Sequence, residues 1–208
     1  SKLQNDKTKF DETYFKAFNI VTGLTTLLIA PLYFLSQDII IFLFGEKWEP
    51  SIIFFQILIF SALTSPQIGM MGKAVLAKGF SKLKFKIGLI QRVLKLSPIA
   101  FGLFYGINEF AVAVVVASTI VFFVYAIILH KKLGLNFGIQ CRNLLVPNLV
   151  FFSIVFVDVI SKSMINNWSL LGLFFISHLL YLMVLKHESY YFIIRIFKQL
   201  YSRLKKDK

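Results

Sequence analysis

The sequence predicts an all-α polytopic membrane protein: six transmembrane helices followed by an amphipathic helix. Three observations carry that prediction. First, 57% of the 208 residues are hydrophobic and the mean hydropathy is +0.74, above the roughly 45–50% apolar content of soluble domains. Second, apolar runs long enough to cross a bilayer recur along the chain. Third, the basic residues alternate with those runs. If six spans are drawn, nineteen of the 23 Lys and Arg fall on the side that holds both ends, and only Lys47 and Lys162 on the other. The positive-inside rule makes the first side cytoplasmic. It also explains the net charge of +13 without a nucleic-acid partner.

The chain opens with a polar, mixed-charge lead-in, residues 1–16. Its acidic residues do not suit a signal peptide, so the start reads as an internal loop of a longer protein. The first span covers 17–34, with Pro31 as an expected kink. A short apolar continuation, 39–44, ends at Gly45, and Trp48 in the following loop suits a water–lipid boundary. Pro50 fits the first turn of the second span, 51–71. That span has a cluster of small and polar residues around Pro66. A basic loop then leads to the third span, 87–105. A short turn, GINEF, joins it to the fourth, 111–129, whose Ala, Val and Ser suit close packing. HKKLGLNFGIQCRN reads as a loop. The fifth and sixth spans are 145–159 and 168–185, joined by a turn at 161–167. Residues 1–186 thus form a six-helix transmembrane unit and 187–208 a basic amphipathic cytoplasmic tail. In the tail, Ile193, Phe197, Leu200 and Leu204 share a helical face away from Arg195, Lys198, Ser202 and Lys206. That pattern suits a helix lying on the membrane surface; a poorly ordered basic tail is the plainer reading.

No catalytic constellation, metal-binding cluster or cofactor motif is visible, and the single cysteine, Cys141, excludes an internal disulfide. His178 stands alone in the sixth span, either packed against another helix or part of a proton relay. The third span holds the sharpest chemical signal. Arg92 and Lys95 lie inside its apolar run, about 8 and 12 Å from its start at 1.5 Å per residue. Lys84, Gly88, Gln91, Arg92, Lys95 and Gly102 share one side of the helix. A lipid-exposed charge at the centre of a span costs roughly 2.5–3.5 kcal/mol, so these cations should face protein or a watery cavity. The competing reading is that they snorkel to the interface, which is easy for Arg92 and strained for Lys95. An anionic, phosphate-bearing substrate would suit such a stripe. Ser65 and Gln67, in the cluster around Pro66, either line the same cavity or belong to a kinked packing interface. Asn19, Thr22, Thr25 and Thr26 form a similar but weaker polar set in the first span.

FGEKW after an apolar span, then a kinked span ending in MMGKAVLAKGFSKLKFKIGLIQRVLK, resembles the polysaccharide flippases of the MOP exporter superfamily. The O-antigen, colanic-acid and capsule type is the most similar. The resemblance covers most of residues 1–106 and is looser beyond. It implies the C-terminal lobe of a transporter in the bacterial inner membrane, working with an N-terminal lobe of the same chain. It further implies that the cargo is undecaprenyl-pyrophosphate-linked oligosaccharide. The basic face and the cluster around Pro66 supply the candidate substrate-binding residues, Lys84, Gln91, Arg92, Lys95, Ser65 and Gln67, and with no catalytic constellation the chain does not read as an enzyme. Two alternatives stand beside it. One is a related exporter of lipid II or drugs, although a cationic drug would call for acidic residues in the cavity. The other is a membrane-embedded glycan-modifying enzyme, for which the outer loops are short.

Overall fold

Helix boundaries follow hydrogen bonding rather than hydropathy, and most helices outrun the apolar runs that signal them. The structure, a computed structural model, describes residues 7–161 and 166–184, together with 191, 192, 194–196, 198 and 199. Its described elements are helices: α1 (Lys7–Phe34), α2 (Ser36–Phe44), a 3₁₀ turn (Glu46–Trp48), α3 (Ser51–Ala62), α4 (Ser65–Ala77), α5 (Ser81–Tyr105), α6 (Ile107–Leu133), α7 (Phe137–Ser161) and α8 (Asn167–Val184). Five segments are long and apolar enough to cross a membrane: α1, α3 with α4, α5, α6 and α7. The protein therefore has the make-up of a multi-pass membrane protein. Ile193, Phe197, Leu200 and Leu204, which carry the expected tail helix, lie outside the described residues, as do residues 1–6 and most of the expected turn at 161–167.

Several boundaries differ from the sequence expectation. The polar stretch before the first span is helical from Lys7, because Tyr14 on it is buried in the bundle, one turn before the buried Phe18. Hydropathy marks depth in the membrane, whereas helix length is fixed by side-chain burial and capping. Pro31 sits inside α1, and the break comes at Leu35, whose N–H still reaches the Pro31 carbonyl at 2.9 Å. The second span is two helices, not one. Pro66 has no N–H and its ring clashes with the carbonyl four residues back, so the helix parts at Leu63 and Thr64. Two side chains converge on one carbonyl beside the break: Thr64 Oγ1 donates to Ser61 O at 3.2 Å and Ser65 Oγ donates to the same oxygen at 3.0 Å.

The two stretches read as basic loops are mostly helix. Between α4 and α5 only Lys78–Phe80 departs from helical structure. Gly79, at φ +79°, ends α4: its N–H bonds Leu76 O at 2.9 Å and the Phe80 N–H bonds Val75 O at 3.1 Å. This is the Schellman arrangement, which needs a left-handed residue there. Between α6 and α7 only residues 134–136 intervene. Gly134 takes φ +74°, and Asn136 Oδ1 accepts the Ile139 N–H at 3.0 Å as an N-cap for α7.

The bundle core has two apolar halves. One gathers Phe18, Met71, Phe122, Tyr125 and Leu129. The other gathers Tyr33, Phe34, Phe60, Phe151 and Phe174, with edge-on ring pairs such as Tyr33–Phe151 at 5.8 Å and 89°. The first half lies toward the basic end. There Lys78 Nζ stands 4.1 Å over the Phe10 ring, and Lys7 Nζ packs against Gly134. The start of α1, the α4–α5 turn and the α6–α7 turn therefore meet, and bring Lys7, Lys9, Lys78, Lys82, Lys131 and Lys132 to one end. At the opposite end Phe54 stacks on Phe110 at 6.3 Å, beside the single-residue turn at Gly106.

Candidate functional site

α5 is the least enclosed of the spans. Only 11% of its most apolar stretch is buried, against 44% for α1. It packs chiefly along α6, to which Gly106 joins it. Along α5 runs an open cavity of about 620 Å³, walled among the described residues by α5 alone. Lys84, Gly88, Gln91, Arg92 and Lys95 line it, with Phe85, Leu89 and Leu96 as its apolar margin. The structure thus brings together four of the sequence-derived candidates along one face. Their spacing of three, four and seven residues is what a helix requires for this.

The four side chains are not equivalent. Arg92 and Lys95 are exposed to the cavity. Among the described residues neither makes an ion pair or side-chain hydrogen bond, and no carboxylate lines the cavity. Lys84 is half-buried and held. Its Nζ donates to the Tyr125 hydroxyl at 2.6 Å and lies 5.0 Å from the centre of that ring. The same hydroxyl donates to Gln91 Oε1 at 3.1 Å. Donor and acceptor roles agree throughout: the ammonium gives, and the phenol both accepts and gives.

Ser65 and Gln67 do not join this face. Ser65 is exposed, and its hydroxyl is spent on the Ser61 carbonyl. Gln67 is fully buried and donates to Thr22 Oγ1 at 3.3 Å. It belongs to an interior polar string across α1, α4 and α7. Thr26 Oγ1 lies 2.6 Å from Asn148 Oδ1 and 3.0 Å from Thr22 O, and Asn148 Nδ2 donates to Leu144 O at 2.7 Å. The single proton of Thr26 favours the shorter contact, to Asn148. Gln67 thus packs in the interior, while Ser65 faces outward. A further interior clasp, Tyr14 hydroxyl to Gln140 Oε1 at 3.1 Å, ties α1 to α7. His178 is buried with its ring stacked on Phe174 at 5.0 Å.

Two residues of the site are absent from the sequence reading, Tyr125 and Gly72. Tyr125 carries a readable signal: a phenol deep in an apolar span needs a hydrogen-bond partner. Gly72 carries none, because its contact with Lys84 is tertiary. Among the described residues no group of three His, Cys, Asp or Glu side chains could hold a metal ion. The chain matches no protein-family model, no curated protein and no solved structure.

Proposed function

We propose that the chain is one lobe of a transporter that moves an undecaprenyl-pyrophosphate-linked oligosaccharide across the bacterial inner membrane. The observation that carries this reading is the α5 cavity, with three cations on a membrane-length helix and no described carboxylate to balance them. Cations left in such a place carry a large desolvation cost, which a polyanionic ligand offsets. A lipid-linked diphosphate has the matching charge. Arg92 would grip its oxygens through paired N–H donors, and Lys95 would act as a point charge. The glycan would ride in the open cavity while the prenyl chain stays in lipid. An N-terminal lobe of the same chain would form the other wall, and rocking of the lobes would expose the cavity to each side in turn.

In this reading α8 is the sixth crossing. Its 18 residues span about 27 Å at 1.5 Å per residue, close to the hydrocarbon thickness of about 30 Å. The basic end is cytoplasmic by the positive-inside rule, so cargo would arrive at Lys84 first. The test is Arg92→Gln combined with Lys95→Gln, expressed in a strain lacking the gene. Surface glycan is expected to be lost while the protein stays in the membrane fraction at its usual level. Normal surface glycan from the inserted double variant overturns the proposal.

A further inference from the structure

We propose that Tyr125 is a positioning residue, and that it and Gly72 make Lys84 a fixed diphosphate-binding point at the basic end of the cavity. This rests on the functional reading above. An ordinary lysine on a membrane helix is a flexible cation, costly to order. Lys84 is ordered before any ligand arrives. One of its three N–H donors is committed to the Tyr125 hydroxyl at 2.6 Å, and that hydroxyl is itself fixed by Gln91. Tyr125 is fully buried, so its ring cannot drift with the lysine. The other two N–H donors have no described protein acceptor, and the side chain lines the cavity. The ammonium also occupies the room left by a missing side chain: a Cβ on Gly72 would lie 2.5 Å from Lys84 Nζ and 2.9 Å from its Cε. Because the clash would be with the end of a flexible chain, Gly72→Ala moves the ammonium and leaves the backbone in place. Preorganisation of this kind lowers the ordering cost of binding.

The experiment is a thermodynamic cycle on the full chain in detergent, with farnesyl diphosphate as the probe and farnesol as the control. Tyr125→Phe and Gly72→Ala are each expected to weaken diphosphate binding about fivefold, the worth of one hydrogen bond. Lys84→Met should weaken it about tenfold or more, as a charge-assisted contact does. In the Lys84→Met background both other substitutions should then have no further effect, since they act only through the lysine. If they weaken binding equally with and without Lys84, or leave affinity unchanged in its presence, the positioning role is overturned. Binding that is lost in Arg92→Gln/Lys95→Gln but indifferent to Tyr125 and Gly72 overturns this inference alone. Binding that obeys the Lys84 cycle but is unaffected by Arg92→Gln/Lys95→Gln overturns the role given to the deeper cations alone. No diphosphate binding by the unaltered protein overturns both.

Discussion

The interior string Thr22–Thr26–Gln67–Asn148 and the cavity face Lys84–Gln91–Arg92–Lys95 are both polar patches on membrane-length helices, yet they have opposite fates. In the string, side chains turn to one another or to carbonyls of their own helices, and each of the four residues is buried. One acceptor, Gln67 Oε1, has no hydrogen-bond partner among the described residues. On the cavity face only Lys84 and Gln91 are held, both through Tyr125, while Arg92 and Lys95 face open space. Polarity inside a membrane bundle is therefore not in itself a sign of function. What separates the two patches is net charge, and whether the rest of the protein supplies the partners that lipid cannot.

Substitutions can break that contrast. The largest loss of stability should come from the sealed side. Phe151 is fully buried and packs against Tyr33, Phe34, Phe60 and Phe174. Phe151→Ala should destabilise the bundle by about 3 kcal/mol through the cavity it opens, read as a lower unfolding temperature in detergent. Asn148→Leu should cost less, roughly 1 kcal/mol, the scale of hydrogen bonds between membrane helices; it removes the partner of Thr26 while keeping the branch at Cγ. It should leave diphosphate affinity unchanged, and a matching loss of affinity would join the string to the cavity. Lys95→Met should have the smallest effect on stability, within about 0.5 kcal/mol, because the side chain makes no described contact that holds the fold. A large destabilisation by Lys95→Met would show that the cation is a structural element and not a free one.

The same contrast explains what could be read from the chain. Helical class and the apolar spans are local properties, set by hydropathy and period, and they survive into the structure. The cavity face is also local: Lys84, Gly88, Gln91, Arg92 and Lys95 share a side because of helical geometry alone. Boundaries were harder. The α4–α5 segment is rich in lysine, which masks a helix that ends only at the left-handed Gly79. Ser65 and Gln67 are two residues apart, so helical geometry points them in different directions, one outward and one into the core. Grouping them with the α5 cations relied on composition rather than direction. Gly72 and Tyr125 meet Lys84 from other helices, and a pairing between segments more than ten residues apart leaves no periodic trace.

The peripheral seat of α5 has a consequence for how this protein can change over time. Its fold-bearing contacts run chiefly toward α6; Arg92 and Lys95 lie away from them, while Lys84 and Gln91 reach α6 through Tyr125. Substitutions at Gly88, Arg92 or Lys95 should therefore change the charge and shape of the cavity with little penalty in stability, so a lineage could vary this face without rebuilding the bundle. Tyr125 is the exception, since its ring is core and its hydroxyl holds Lys84 and Gln91; a drifting population should hold it while the exposed positions around it diverge.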